Sequence, residues 1–329
     1  MRTVCLKVDS ASPDPGPIGQ GAALLRNGGL VGFPTETVYG LGANGLDPAA
    51  VARIFQAKGR PATNPVIVHV ADADSARILV QEWPAAAARL AERFWPGPLT
   101  LVLPRSSRVP DIVTAGGPTV AVRVPAHPVA LALVRAAGIP VAAPSANPSS
   151  RLSPTLADHV MRGLAGRIDL VLDGGPTPGG IESTVLDLAS DPPAVLRPGP
   201  VSREEIEAVI GGLRREGAAG SAGALRSPGM LRRHYAPQAR LVVAADAVGE
   251  AQRLEAAGMR VAVLARSAAG SGWTGGVVRM PADASAYAAR LYAALHELDE
   301  AGFDAVVVEA PPATAEWAAV RDRLARASA

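Results

Sequence analysis

What most limits the fold of this chain is a series of short apolar or β-branched runs, each interrupted by a polar, proline-rich loop. LVGF at 30–33 gives way to PTETVYG, VIVHV at 66–70 follows KGRPATNP, and LTLVL at 99–103 follows WPGP. TVAVRV at 119–124 runs into PAHP, and PVAA at 140–143 breaks into PSANPSS. IDLVLD at 168–173, STVLDL at 183–188 and AVLRPG at 194–199 continue the series. Runs of this length and content read as strands. Helices are expected between them at 18–27 (stopped by Gly28-Gly29), 74–82, 85–94 and 127–137. Asp47-Pro48, a cap and a first-turn proline, opens another over AAVARIFQAKG, and Ser202 with Glu205 forms a capping box for 203–211. Elements mixed in this order predict an α/β protein built on a twisted mixed sheet, not a clean βαβ repeat.

A chain of 329 residues is long for one core, so two domains are expected. Near 213 the texture changes to REGAAGSAGALRSPGMLRRHYAPQA, rich in Gly, Ala, Ser and Arg, which reads as a linker over 211–238. It divides a larger domain at 10–210 from a smaller one at 239–329. In the latter RLVVAA, RVAVLA, GVVRM and DAVVVEA alternate with helical stretches at 246–257, 283–301 and 314–326, the pattern of a small Rossmann-like α/β domain with a parallel sheet.

Apolar residues make up 48% of the chain, enough for packed cores. Lys plus Arg total 32 against 30 Asp plus Glu, a balance that argues against non-specific nucleic-acid binding. The single cysteine, Cys5, excludes intrachain disulfides and a Cys-rich zinc site. The opening MRTVCLKVDSASPDPG has no apolar h-region and no run approaches membrane-spanning length, so a cytoplasmic protein with no membrane partner is expected.

GLGANG at 40–45 matches G-x-G-x-x-G literally, but PTETVY intervenes between the strand and the first glycine, and no acidic residue stands about 20 positions on. A turn using glycine for positive φ is the expected explanation. No Walker loop is present.

Four segments are more polar than folding alone requires. PTETVYGLGA at 34–43 follows a buried strand, where α/β sheets place ligands, and its Thr35, Thr37 and Tyr39 alternate as if to face one side of an extended segment. KGRPATNPVIVHV at 58–70 sets Lys58 and Arg60 beside a proline-stiffened loop carrying Asn64. Each cation alone suits a helix C-terminus; together they suit a triphosphate. His69, within an apolar strand, taken alone reads as a core residue. Arg123 interrupts the buried run TVAVRV and needs an anionic partner, an internal carboxylate or a ligand. APSANPSSRLSPT at 143–155 offers Ser145, Asn147 and Ser153 in a loop held by prolines, and IESTVLDL and LRPGP add Ser183, Thr184 and Arg197. No metal-ligand spacing and no Ser–His–Asp set is found.

In order and spacing, these strings resemble the YrdC/Sua5 family, the L-threonylcarbamoyladenylate synthases. The likeness rests on PTETVYGLGA, Lys58-x-Arg60-Pro61, Asn64-Pro65 running into His69, WPGPLTLVL, AVRVPAHP, PSAN with SPT, DGG at 173–175, IESTV and LRPGP. SPGMLRRHYAP at 227–237 is similar to the linker of the long form of the family, and the segment after it takes the place of that form's C-terminal domain. Ser150 departs from the pattern where many relatives carry glycine, and Leu152 where proline is frequent. The resemblance implies that L-threonine, bicarbonate and ATP are converted to threonylcarbamoyl-AMP and pyrophosphate, for threonylcarbamoylation of adenosine 37 in tRNA. It assigns Thr37, His69, Arg123, Ala143 and Ser183 to threonine. Lys58, Arg60, Asn64, Thr119, Ser145, Asn147, Ser153, Arg197 and Tyr235 fall to ATP, with Lys58 and Arg60 as the catalytic cations. Mg²⁺ is expected with the nucleotide and no protein metal site. Downstream tRNA threonylcarbamoyl-transfer proteins and a weak contact with tRNA are the implied partners. Two other functions carry the same residues: an RNA-binding module, and a carbamoyl-transfer protein of hydrogenase maturation, whose zinc fingers one cysteine cannot supply.

Overall fold

The structure, a computed structural model, describes residues 2–214, 234–267 and 273–329. They fall into two compact units, one of residues 2–149, 154–178 and 182–214, the other of 150–153, 179–181, 234–267 and 273–329. Most of the linker expected over 211–238 lies outside the described residues.

Among the described residues, the first unit builds a ten-stranded sheet from β1 (Val4–Lys7), β2 (Val31–Phe33), β3 (Gly40–Asn44), β4 (Ile67–His69), β5 (Leu99–Pro104), β6 (Thr119–Arg123), β7 (Val141–Ala142), β8 (Leu170–Asp173), β9 (Thr184–Asp187) and β10 (Ala194–Arg197). Its order is β1-β8-β2-β3-β7-β4-β6-β5-β9-β10. Parallel pairs such as β4–β6 and β5–β9 mix with antiparallel pairs such as β5–β6 and β9–β10. The mixed sheet agrees with the expected class.

Strict alternation divides the side chains of the central strands. Val66, Val68 and Val70, Val120, Val122 and Val124, and Leu99, Leu101 and Leu103 all join one large core. That core is closed by the helices Pro48–Lys58, Ala85–Phe94 and Ala157–Leu164 through Ile54, Leu90 and Val160. On the opposite face Ile67, Ala121, Val102 and Val185 form only a small cluster. The helices Pro15–Arg26 and Pro128–Ala137 cover β2, β7 and β8 through Leu25, Leu133, Phe33, Val141 and Leu172.

Several boundaries follow from caps read in the sequence. Asp47 accepts from Ala49 N, Gly59 closes the same helix in the left-handed region, and the Ser202–Glu205 box is formed in both directions. Two expectations need correction. The helix expected over 74–82 is only Ala73–Arg77, because Val80 bridges to Arg105 and Gln81 N donates to Pro104 O, drawing the chain onto the end of β5. GLGANG is not a turn: Gly40–Asn44 is strand β3, and none of its glycines has positive φ. Gly42 answers crowding instead. A Cβ on Gly42 would meet Phe33 Cε1 at 2.8 Å and Val141 Cγ1 at 2.9 Å.

The second unit has a four-stranded, wholly parallel sheet of β11 (Arg240–Ala244), β12 (Val261–Ala265), β13 (Gly276–Arg279) and β14 (Ala305–Glu309), in the order β11-β14-β12-β13. Helices Ala247–Ala256, Ala284–Glu300 and Ala318–Ala327 accompany it, the first two capped by Asp246 and Asp283. Leu254, Val263 and Val307 lie in its core. Ser150 has φ of 65°, which supplies the physical reason for glycine at that position in the family pattern.

Gly42→Ala is expected to destabilise the protein by about 1–3 kcal/mol through overpacking. Gly16→Ala, in a helix where an added Cβ meets nothing within 4 Å, is expected to be neutral or to stabilise by about 0.4–1 kcal/mol. Chemical denaturation of the two variants measures both.

Candidate functional site

The sparsely packed face of the central strands carries a row of polar side chains. His69 on β4 is the register partner of Arg123 on β6. Leu101 on β5 pairs with Val122, so the next step along the antiparallel ladder sets Thr100 against Arg123. Ser183, just before β9, reaches Thr100 with hydroxyl oxygens 2.8 Å apart. Arg197 on β10 donates from Nη2 to Ser183 Oγ and from Nε to Ser183 O, each at 3.1 Å. Every member of the row is at most 3% exposed.

Arg123 is held from three sides. Nε donates to Gly97 O at 3.2 Å, Nη1 to Thr37 Oγ1 at 3.2 Å, and Nη2 pairs with Glu36 Oε1 at 2.6 Å. The partner that the buried guanidinium requires is thus an internal carboxylate. Nε and Nη1 each make one hydrogen bond and Nη2 meets Glu36 as an ion pair without hydrogen-bond geometry, so N–H groups on both Nη1 and Nη2 remain open. The Thr37 hydroxyl lies 2.7 Å from that of Thr35, which donates to Val38 O at 2.7 Å. Guanidinium, two hydroxyls and a carbonyl therefore form one oriented chain of hydrogen bonds. Thr35 Oγ1 also accepts from Thr37 N and Val38 N, so the segment is folded into a turn. This corrects the expected one-sided display: Tyr39 sends its hydroxyl away to Gly175 O at 2.7 Å.

His69 is 3% exposed, and burial, reinforced by the Arg123 charge, lowers its pKa to about 3. It is a neutral imidazole, and its Nδ1 has no hydrogen-bond partner. The reading of His69 as a satisfied core residue does not hold.

A second cluster surrounds Lys58, at the end of its helix. The ammonium donates to Ser145 O at 2.6 Å, to Asn147 O, and to Asn147 Oδ1 at 3.3 Å, while Lys58 O accepts from Ser149 N. All these acceptors are neutral. Burial, then the nearby Arg60 charge, pushes the Lys58 pKa well below its ordinary value. Arg60 grips the loop that follows it, donating from Nε to Asn64 O at 3.0 Å and from Nη2 to Pro65 O at 2.6 Å. Asn64 is fully buried, and neither end of its side-chain amide has a partner. An amide left open in this way is costly in an empty protein and suits a ligand.

The two clusters share a border. Ala143 N donates to Ile67 O, Leu41 N to Pro144 O and Ala146 N to Tyr39 O, so the segments 35–41 and 143–147 run past both. Ser145 Oγ bonds Asn147 Oδ1 at 2.5 Å, and Thr119 stands on the Arg123 face of β6. Ser153 and Tyr235 belong to the second unit. There Ser153 O lies 3.2 Å from His296 Nε2, and Tyr235, at φ of 61°, has the Arg323 guanidinium 5.3 Å over its ring. Sequence reasoning missed Glu36 and Thr100. Glu36 stands inside the quoted PTETVYG, and Thr100 is the one polar residue within LTLVL, where the two-residue period points it to the Arg123 face.

Two consequences are measurable. Asn64→Leu, of similar shape, is expected to leave the melting temperature of the protein unchanged or raised, because it removes two unsatisfied buried polar atoms. The second concerns acid stability. Unfolded His69 takes up a proton near pH 6.5 that the folded protein refuses until about pH 3. Stability should therefore fall as pH drops through that window, and His69→Phe should flatten the dependence by up to about one proton in thermal melts.

Comparison with known proteins bears on this geometry. A family model named for Sua5, YciO and YrdC and described as "Telomere recombination" matches residues 23–199. A second, described as the C-terminal domain of threonylcarbamoyl-AMP synthase, matches residues 201–329. Proteins named threonylcarbamoyl-AMP synthase from Pyrococcus abyssi and Bacillus subtilis are each 45% identical, over 93% and 97% of this chain and 92% and 95% of their own. The crystal structure of Pyrococcus abyssi Sua5 complexed with L-threonine superposes with a TM-score of 0.92 at 42% identity, covering 100% of this chain and 98% of the other. With a polar row and a buried cationic loop on the scaffold these proteins share, the chain belongs to the Sua5/YciO/YrdC family.

Proposed function

We propose that this chain makes threonylcarbamoyl-AMP from L-threonine, bicarbonate and ATP, releasing pyrophosphate. It is an enzyme, a threonylcarbamoyl-AMP synthase, and relatives so named align with it over nearly their whole length. Neither RNA binding nor hydrogenase-type carbamoyl transfer is favoured by those relatives.

The observation that carries the assignment of the nucleotide site is Lys58. Its ammonium is buried, solvated only by neutral oxygens, and depressed in pKa; no carboxylate among the described residues pairs with it. A polyphosphate beside it offsets the cost of burying that charge. Arg60 adds a second cation, and the open amide of Asn64, the hydroxyls of Thr119, Ser145 and Ser153, the Asn147 amide, Arg197 and Tyr235 complete the proposed ATP set. Mg²⁺ would enter with ATP as the nucleotide's counter-ion and would offset the phosphates' charge, with no protein residue assigned to hold it.

Arg123, with N–H groups open on both Nη1 and Nη2, takes the threonine carboxylate, and the open Nδ1 of neutral His69 faces no competition from a protein acceptor. Thr37, Ala143 and Ser183 border the same subsite. Threonine, after its ammonium gives up a proton to solvent, forms an N–C bond with bicarbonate as water is expelled; an oxygen of the resulting carbamate attacks the α-phosphorus as the bond to the β-phosphate oxygen breaks and pyrophosphate leaves. The carbamate is already anionic, so the step needs alignment and charge neutralisation rather than a strong base. We assign residues 10–210 to catalysis, 211–238 to a linker and 239–329 to a C-terminal domain. The product serves tRNA threonylcarbamoylation through downstream transfer proteins. No described helix is long and apolar enough to cross a membrane, and we place the protein in the cytoplasm with that tRNA chemistry.

Pyrophosphate release from ATP and Mg²⁺ is expected to require both L-threonine and bicarbonate, with L-serine a poor substitute. Lys58→Ala and Arg60→Ala should each lower the rate about 100-fold or more; full activity in both variants would overturn the proposed nucleotide site.

A further inference from the structure

Threonine enters any site as a zwitterion, and Arg123 answers only one of its two charges. Beside that guanidinium stands the carboxylate that neutralises it, with capacity to spare. Glu36 is 13% exposed at its side chain, its Oε1 lies 2.6 Å from Arg123 Nη2, and its buried Oε2 has no hydrogen-bond partner. A buried, open carboxylate oxygen is expensive unless a donor arrives. Resting on the reading that L-threonine is a substrate, we propose that Glu36 is the ammonium-binding residue of the amino-acid subsite: Oε2 accepts from the α-ammonium while Oε1 keeps its hold on Arg123.

Charge arithmetic supports the assignment. Glu36 and Arg123 together are neutral, and a zwitterion placed against them leaves the buried assembly neutral, each end of the ligand meeting its opposite. A hydroxy acid with a carboxylate but no ammonium would add an uncompensated negative charge next to Glu36, which low-dielectric surroundings penalise strongly. The neighbouring imidazoles do not alter the balance. His69 is held neutral by burial and Arg123, and burial lowers His127, with the Glu36 charge opposing that shift. The pair therefore selects amino acids over the corresponding hydroxy acids before any side chain is read.

The test is binding of L-threonine and of 3-hydroxybutyrate, which keeps the carboxylate and β-hydroxyl but lacks the ammonium, to the full-length protein and to Glu36→Gln. The expected result is a loss of at least tenfold in threonine affinity in the variant, with 3-hydroxybutyrate affinity unchanged or raised. Equal losses for both ligands would reduce Glu36 to a support for Arg123 and overturn the proposal, as would unaltered threonine affinity. Unchanged binding of an ATP analogue in the variant certifies the fold; if Glu36→Gln does not fold, Glu36→Asp decides, since retention of the charge should preserve the preference for threonine over 3-hydroxybutyrate, and loss of that preference would overturn the proposal. A wild-type protein that binds ATP but no L-threonine would sink the functional reading instead.

Discussion

The site depends on one constraint, the two-residue period of the central strands. Because Val66, Val68, Val70, Val120, Val122, Val124, Leu99, Leu101 and Leu103 go to the helix-covered core, every residue between them must go to the other face. That face receives Ile67, Ala121, Val102 and Val185 as a thin apolar floor, with His69, Arg123, Thr100 and Ser183 beside it. Moving β4 or β6 by a single residue would bury His69 or Arg123 among valines and leave the row incomplete. Pressure to keep the hydrophobic register therefore also preserves the chemistry.

The protein accommodates its buried cations in two distinct ways. Arg123 is neutralised internally by Glu36 and tied to Gly97 and Thr37, which fixes its plane while sparing part of its donor set. Lys58 is solvated by carbonyl and amide oxygens of the loop at 145–147 and retains its charge deficit. The first arrangement suits a small ligand of zero net charge. The second suits a ligand carrying several negative charges. Two ligands of unlike charge can thus be told apart by how each buried cation is already compensated.

Much of this architecture was legible in the chain. Strand positions, the Asp47-Pro48 helix start and the Ser202–Glu205 box all depend on neighbours a few residues apart, and local rules reach that far. Arg123 announced its need for an anion because a guanidinium inside a β-branched run has few alternatives. Its partner was hidden, since Glu36 and Arg123 meet only through the fold. Thr100 was overlooked inside a leucine run, although the alternation that aims its hydroxyl can be counted by hand. The glycines of β3 misled for a related reason: glycine signals either freedom or lack of room, and only the packing of Phe33 and Val141 shows that here it is lack of room. Helix 73–77 ended early because of a tertiary pairing between Val80 and Arg105 that no local periodicity encodes.

The open amide of Asn64 has a thermodynamic corollary. A side chain that is unsatisfied in the vacant protein and satisfied when occupied makes the folded state sensitive to its own ligand. By mass action, a ligand present at 100 times its dissociation constant adds about 2.7 kcal/mol to the resistance to unfolding. Any ligand that closes this amide therefore sets the lifetime of the fold as well as its occupancy, because proteolysis acts on the opened chain.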